Sequence, residues 1–564
     1  MKIIGANLCR RPSGKKIRDA GACLVEDGII KVAIAEERIT RIKHDGAIVN
    51  SILYCMNAVQ SSVDDIDLFV FSMCGTLPPT VDYVYQYLQG EGLTIPESKI
   101  SICPSHHLSH AASAFFASGF QESLIVVADR DGSILSGEEP MPFSNSVEHI
   151  SYYRGTGNRI ELIERDETMV GDIGLGLGYS YVTEWLGFDG HSMPGKTMAL
   201  AAYGDYKSLL PAHFFSLEQN HIHCHLEPID CDKSLAVRRL ILKETGKDIG
   251  AHCMDPCEQV ACDVASLVQH DLETVMIEKL MYLKNQTGLH NLCFAGGVAL
   301  NCKLNYQILQ SNLFDYVFIQ PAAGDTGQCL GNALYGYRML CNGSHSFAMT
   351  HAYFGAPYLD DQMEEAIQAY ADEIVIEKTE TLCASVAQRL MEDKVVAWFQ
   401  GGSEFGPRAL GHRSIIASPV HQHMRDYLNC KIKYRERFRP FGVFVLSEDV
   451  ANYFDFQANS PFMLIAPQVL EQAVDLIPSA VHVDESCRIQ TVDSSTDQKL
   501  FQLLLEFKKI SGISVLINTS FNIKGEPIVE TPMDALRSFV DSQMDVLVLG
   551  DYVITHKYDH NYRK

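Results

Sequence analysis

The feature that most constrains this chain is an alternation of short apolar runs with helix-length stretches, which occurs twice. In the first stretch, residues 2–5, 22–25, 30–35, 68–72 and 100–103 have strand character, and Glu26-Asp27-Gly28 is a hairpin turn signal between two of them. A small-residue helix over 107–118 and a continuous apolar run over 124–129 follow. The order returns with a helical stretch over 258–285, a strand at 292–295, a helix at 298–311, a strand at 317–319 and a helix at 326–341. Alternation of this kind predicts an α/β fold, here with two comparable halves. Residues 341–357 are rich in Gly, Ser and Pro and read as a junction between domains. Beyond it come a helical stretch at 381–392, a strand at 395–399, a basic segment, and strands near 514–518 and 545–549.

At 564 residues the chain is too long for one core, so two domains are expected, 1–350 and 358–564. The net charge of -24 argues against a nucleic-acid surface, which needs clustered Lys and Arg to displace counterions. No apolar run reaches transmembrane length and no secretory leader opens the chain, so a cytoplasmic protein without a membrane partner is expected. The 17 cysteines are scattered and read as buried thiols, not a disulfide framework.

Three constellations carry chemistry. His106 and His110 stand four apart at the start of a helix, so they share a face and can hold one divalent metal. Asp129 ends an apolar strand and Asp325 lies between a strand and a helix, where ligands bind in α/β sheets. Two His and two Asp suit a borderline metal such as Fe, Mn or Zn. The bland alternatives are a core histidine pair and, for Asp325, a helix N-cap. A second His/Cys-rich set, His221, His223, Cys224, His225, His252, Cys253 and Cys257, has irregular spacing and reads as surface.

The second constellation is Ala295-Gly296-Gly297-Val298-Ala299-Leu300-Asn301, a strand, a double glycine and a helix, which lets a nucleotide approach the backbone. It is not a P-loop, because no Gly-Lys-Ser/Thr follows. The third is a basic island in an acidic chain: Arg408 and Arg413, then Lys431, Lys433, Arg435, Arg437 and Arg439 at intervals of two. An extended segment would project the last five on one face, as a polyanion pocket near Asn518–Asn522 or, alternatively, as a solvated sheet edge.

These residues sit in seven blocks that run in order through both predicted domains: HHLSHAASAFF from His106, FAGGVALNCKLN from Phe294, PAAGDTGQCLG from Pro321, SEFGPRALGHRS from Ser403, KIKYRERFRPF from Lys431, HVDESCRIQTV from His482 and NTSFNIKGEPIVETP from Asn518. With these blocks the chain resembles the NodU-type O-carbamoyltransferases, the nodulation, cephalosporin and tobramycin family. The resemblance implies a duplicated actin-like, sugar-kinase-like N-terminal domain for metal-dependent carbamoyl transfer and a C-terminal YrdC-like α/β domain that forms carbamoyl-adenylate. It implies ATP with Mg2+ and carbamoyl phosphate as substrates, and a divalent metal, Fe2+ foremost with Mn2+ or Zn2+ as alternatives. The acceptor would be a hydroxyl of a small molecule, as in antibiotic biosynthesis, and a homodimer is the assembly to test.

By the same likeness His106, His110, Asp129 and Asp325 are the metal ligands; the double-glycine turn itself gives Gly296, Gly297 and Asn301 as the expected nucleotide site of the first domain. Lys43 falls on a site lysine of the first domain. Arg408, Lys433, Arg439, Arg488, Ser520 and Asn522 fall on the carbamoyl phosphate and ATP pocket of the second, with Lys433 and Arg439 catalytic. One departure matters. Where the family has a His-Asp pair soon after the first strand, this chain has Arg18-Asp19. An arginine cannot act as a base at neutral pH. Another group takes that role, or the acceptor needs no base, or an anionic acceptor docks on Arg18. Smaller departures are Gly402 in place of Arg and His412 in place of Asn. The rival readings are a tRNA threonylcarbamoyl-adenosine-type enzyme and a non-catalytic nucleotide-binding regulator.

Overall fold

A computed structural model describes residues 1–9, 19–73, 79–135, 146–169, 172–227, 233–379 and 381–557. The chain forms two compact units: Met1–Glu36 with His44–Met349, and Glu37–Lys43 with Thr350–Lys564.

The described residues of the first unit hold two larger sheets of matching strand order and a two-stranded sheet of Phe215–Glu218 with His221–Cys224. The first contains β1 (Lys2–Leu8), β2 (Gly21–Glu26), β3 (Ile29–Ala35), β4 (Leu68–Met73) and β5 (Ile100–Ile102), in the order β3-β2-β1-β4-β5. β1 pairs antiparallel with the β2–β3 hairpin and parallel with β4, which pairs parallel with β5. After α1 (His106–Ser118) the second sheet repeats this plan with β6 (Glu122–Ala128), β7 (Ser146–Thr156), β8 (Arg159–Met169), β9 (Asn291–Ala295) and β10 (Tyr316–Ile319). Its main order is β10-β9-β6-β7-β8, with the short strand Ile134–Leu135 also pairing antiparallel with β7; it is again a central strand with an antiparallel hairpin on one side and two parallel strands on the other. This duplicated order is that of the actin-like, sugar-kinase-like fold. The expected strands and helices of this unit are present. The expected long helix is α2 (Gln259–Thr287); the expected helix at 298–311 is interrupted at Asn301, which caps α3 (Cys302–Gln310), and α4 covers only Gln328–Tyr335 before widening into a π-turn at Gly336–Leu340.

The helix carrying the two histidines and the one after Asp325 are locked against the first sheet. α4 lies so close to β1 that a Cβ on Gly5 would fall 2.1 Å from the Cys329 carbonyl, so only glycine fits there. The fully buried Asn332 amide donates to Ala6 O and Ser72 Oγ, each at 2.8 Å, and accepts from Ser109 Oγ of α1 at 2.8 Å. A buried amide persists only when its hydrogen bonds are met, and here they join α4, β1, β4 and α1.

The second unit is one eight-stranded mixed sheet. Its elements are β11 (Ile374–Lys378), α5 (Leu382–Met391), β12 (Val396–Phe399), β13 (Arg413–Ala417), β14 (Gly442–Leu446), β15 (Arg488–Val492), α6 (Gln498–Ser511), β16 (Val515–Ser520), α7 (Pro532–Val540), β17 (Val546–Leu549) and β18 (Tyr552–His556). The order is β11-β18-β17-β12-β13-β16-β14-β15. Residues of β12, β13, β14 and β17 are buried throughout, as expected of strands covered on both faces. The segment Glu37–Lys43 joins this unit through its arginines. Arg41 donates to Ile528 O at 2.7 Å and Pro527 O at 3.0 Å, and Arg38 donates to Gly406 O at 3.2 Å. Lys43 therefore packs with the second unit, whereas the resemblance had placed it in the first.

Among the described residues no helix is long and apolar enough to cross a membrane.

Candidate functional site

The histidine–aspartate cluster of the first unit forms from the ends of regular elements. α1 begins at Ser105, whose hydroxyl accepts the Leu108 N–H. The helical turn then brings the rings of His106 and His110 together, with Nε2 atoms 3.2 Å apart. Asp129 follows β6 directly. Its Oδ1 accepts the N–H groups of Arg130 (2.8 Å) and Gly297 (3.2 Å), which turns Oδ2 toward the histidines. Oδ2 stands 3.1 Å from His106 Nε2 and 3.2 Å from His110 Nε2, and Asp325 Oδ1 stands 3.4 and 3.7 Å from the same atoms. Asp325 does not cap a helix: Gly324 holds the N-cap position, and the Asp325 carboxylate faces the imidazoles.

All four donor atoms lie within 4.8 Å of one another, and both histidine rings are fully buried. Tetrahedral ligands about 2.0–2.1 Å from an ion stand about 3.3 Å apart, which matches this set. Two imidazole nitrogens at 3.2 Å cannot both carry protons toward each other, so a shared cation suits the cluster. The electrostatics agree. Burial alone would raise the Asp129 carboxyl, but the two imidazoles beside it hold it well below the usual carboxylate range. Burial would lower His110, and the Asp129 and Asp325 carboxylates outweigh it and raise it. The residues present therefore fit a divalent metal. The other His/Cys-rich stretch does not converge among the described residues, and His221 of that set is paired with Asp166 at 2.7 Å.

The double glycine supports this cluster directly. Gly296 has φ of 88°, and a Cβ there would fall 2.2 Å from Ala128 O, so the ends of β9 and β6 can approach only through glycine. Gly297 lends its N–H to Asp129. Asn301 caps α3 and exchanges two amide hydrogen bonds with Gln269 of the long helix Gln259–Thr287, at 2.9 and 3.1 Å. These three residues have packing and orienting work here, whether or not a nucleotide lies beside them.

Arg18 lies outside the described residues. Its neighbour Asp19 has a left-handed backbone, φ 72°, and its Oδ1 meets His44 Nδ1 at 2.7 Å; His44 is also left-handed, φ 58°. Non-glycine residues rarely adopt this region without support. For Asp19 the support comes from Asn7 Nδ2 (3.0 Å) and Thr326 Oγ1 (3.3 Å), both donating to its carbonyl; Thr326 is the neighbour of Asp325. His44 carries no motif signal of its own, and only the folded chain pairs it with Asp19.

The cationic cluster of the second unit is built differently. The basic segment is not a strand. It leaves a wide turn, Leu428–Ile432, and reverses at Tyr434, φ 47°. The Asn429 side chain fixes the reversal, accepting from Arg435 Nε (2.6 Å) and donating to Arg439 O (3.1 Å). As a result Lys431 and Arg437 face solvent, whereas Lys433, Arg435 and Arg439 turn inward. This replaces the expected one-sided row of five: hydrogen bonding by one asparagine overrides the period of two.

Lys433 Nζ lies among four oxygens, at 2.9 Å from Ser520 O, 3.3 Å from Ser520 Oγ, 2.9 Å from Asn522 O and 2.6 Å from Asn522 Oδ1. Burial, then Arg435, Arg439 and Lys43, push its pKa well below the usual lysine value. Burial also lowers Arg439, and Arg488 adds to this. Arg488 opens β15, and its buried Nε has no hydrogen-bond partner among the described residues. Arg408 sits on a loop organised by Glu404, whose Oε1 accepts the N–H groups of Leu410, His412 and Arg413 at 2.7, 2.9 and 3.0 Å. Asn518 Nδ2 ties that loop to β16 through Ala409 O at 2.7 Å. The His412 ring stacks on Tyr353, centroids 3.7 Å apart, and its Nδ1 meets the carbonyl of Gly402 at 2.6 Å.

The chain thus joins a duplicated actin-like α/β unit with a buried His/Asp cluster to a second α/β unit with a half-buried cationic cluster. The chain belongs to the carbamoyltransferase family: the carbamoyltransferase N-terminus matches residues 81–334 and the carbamoyltransferase C-terminus matches 387–556. It is 32% identical to nodulation protein NolNO of Sinorhizobium fredii, over 95% of this chain and 79% of that one. It is 33% identical to nodulation protein NolO of Bradyrhizobium diazoefficiens, over 80% of this chain and 78% of that one. Full-length HypF in its phosphate- and nucleotide-bound form overlaps 60% of this chain and 55% of that chain, at 11% identity and a TM-score of 0.35. The strand order, not that overlap, defines the fold.

Proposed function

We propose that this chain is an ATP-dependent O-carbamoyltransferase that activates carbamoyl phosphate in its second unit and passes the carbamoyl group to a small-molecule hydroxyl in its first. The observation that carries this reading is the half-buried Lys433, enclosed by oxygens of Ser520 and Asn522 and lowered in pKa by burial and by the charges of Arg435, Arg439 and Lys43, in a chain of net charge -24. Cations gathered this closely repel one another and lose part of their hydration, and an oligo-anion relieves both costs.

Carbamoyl phosphate would lie against Lys433, Arg439 and Arg488. Water attacks the carbamoyl carbon and the bond to phosphate breaks, and these charges stabilise the phosphate that leaves and the carbamate that forms. A carbamate oxygen then attacks the α-phosphorus of Mg2+-bound ATP, and the bond to pyrophosphate breaks. This leaves carbamoyl-adenylate. Ser520 and Asn522 hold the Lys433 amine in place for both steps.

In the first unit the acceptor oxygen attacks the carbamoyl carbon and the bond to AMP breaks. His106, His110, Asp129 and Asp325 would hold the divalent ion, Fe2+ foremost with Mn2+ or Zn2+ as alternatives, whose chemistry is to stabilise negative charge on an oxygen. Arginine keeps its proton at neutral pH, so we assign the acceptor's proton to His44, whose ring Asp19 orients. The test is pyrophosphate release from ATP. It is expected only when carbamoyl phosphate is present; release independent of carbamoyl phosphate, or none with it, would overturn the reading.

A further inference from the structure

At the start of α1, the helix that carries the two histidines, lies a carboxylate that no sequence motif marks. Glu148 sits on β7, and its side chain is fully buried. An ionised group in that position survives only if every oxygen lone pair is answered. Here Oε1 accepts from Ser105 Oγ at 2.7 Å and meets Arg165 Nη2 at 3.0 Å, and Oε2 accepts the N–H groups of Ser133 (3.0 Å) and His107 (3.4 Å).

Each of these partners bears on the helix that carries the two histidines. Ser105 is the N-cap of α1. The His106 N–H donates to Ser133 Oγ at 3.0 Å, and Ser133 is itself held by Glu148. The His107 ring is pinned from below, its Nδ1 on Ser151 Oγ at 2.7 Å, and Ser151 Oγ also accepts from Arg165 Nε at 3.1 Å. The first N–H groups of a helix have no partner within it. In α1 they are taken by Glu148, Ser133 and Ser105, so the entry of the helix is fixed to β7 and to the loop after Asp129. A negative charge at this end also complements the helix dipole. The opposing charge that meets the Glu148 carboxylate is the Arg165 guanidinium, at 3.0 Å.

We infer that Glu148 is a positioning residue of the metal centre: through Ser105, Ser133 and the His107 N–H it sets the position of His106 and His110 relative to Asp129. This rests on the reading of the four-residue cluster as a divalent-metal site. A glutamine at 148 has the same shape, but its NH2 must face either the N–H donors of Ser133 and His107 or the Ser105 and Arg165 donors. Donor would meet donor, and the helix start would shift.

The experiment uses the full chain stripped of metal, titrated with Mn2+ and followed by the electron paramagnetic resonance signal of free Mn2+. Co2+ substitution then reports coordination through its visible d–d bands. Wild type, His110→Ala, Glu148→Gln and Ser133→Ala are compared. Loss of such a supporting residue typically costs about 10–100-fold in metal affinity. We expect Glu148→Gln to bind Mn2+ in that range more weakly, with altered Co2+ bands, and Ser133→Ala to weaken it about threefold to tenfold. If Glu148→Gln does not fold, Ser133→Ala carries the test, because it removes one acceptor and no charge. Folded Glu148→Gln or, in its absence, Ser133→Ala, with wild-type affinity and wild-type Co2+ bands, would overturn the assignment while leaving the metal centre standing. If His110→Ala also binds as wild type, the metal-centre reading itself falls, and this inference with it.

Discussion

The His/Asp cluster hangs from regular elements: two histidines one helical turn apart, one carboxylate at a strand end, one at the turn before a helix. The cationic cluster has no such frame. Lys433, Arg435 and Arg439 are held in a reversing loop by the Asn429 side chain and by oxygens of Ser520 and Asn522. The first arrangement is stiff and suits a small ion with strict donor spacing. The second gathers like charges whose mutual repulsion an arriving anion offsets. The comparison teaches that binding energy is stored in opposite places: in a preformed cage in the first unit, and in relief of repulsion in the second.

Several substitutions press on this contrast. The largest effect is expected at Lys433. Lys433→Ala should lower carbamoyl-phosphate-dependent pyrophosphate release by about 10³-fold, in the range of losing a charged transition-state contact, while Mn2+ affinity stays unchanged. Co-loss of metal binding would erase the distinction. Next is Asn332→Leu, which strips the tie joining α4 to β1, β4 and α1 and leaves Ser72 and Ser109 short of a partner. Urea denaturation should show about 2–4 kcal/mol of lost stability. Arg439→Ala should weaken carbamoyl phosphate binding by about tenfold or more, whereas Arg437→Ala, which faces solvent, should leave it within about twofold. Equal effects by calorimetric titration would restore the one-sided row of cations.

The smallest effect is a proton. The Lys433 pKa is depressed in the ligand-free fold. An anion placed beside it favours the ammonium form and raises that pKa, so binding takes up protons, up to about one, at pH between the ligand-free and ligand-bound values. Affinity is full below the ligand-free value and falls as pH rises from there to the ligand-bound value. Calorimetry in buffers of different ionisation enthalpy gives the number, and proton release would reverse the sign of the argument. The same depression means that the unfolded chain binds this proton more readily. Stability from this group therefore rises with pH between its folded value and the ordinary lysine value.

Much of the first unit was legible because its signals are local. The alternation of strands and helices, the Glu26-Asp27-Gly28 turn, and the His106/His110 spacing each depend on residues within one element or one turn. The convergence of Asp129 and Asp325 on the histidines follows from strand ends that meet in a sheet, so strand-end position was a sound guide. What the sequence could not display depends on partners far along the chain. Glu148 looks like any strand-face glutamate until β7 pairs with β6 behind α1. His44 gains meaning only when Asp19 folds against Thr326. In the second unit an even spacing of cations imitated a strand, because the alternation of side chains does not reveal that Asn429 closes the loop. Lys43 lies early in the chain yet packs with the second unit, since Arg38 and Arg41 find backbone carbonyls there.

The most direct test of the two-cluster account is pyrophosphate release by His110→Ala, assayed with ATP, Mg2+ and carbamoyl phosphate. Release within about twofold of wild type, with no carbamoylated product detected by mass spectrometry of candidate acceptors, is the predicted result. Loss of release as complete as that of Lys433→Ala would contradict it.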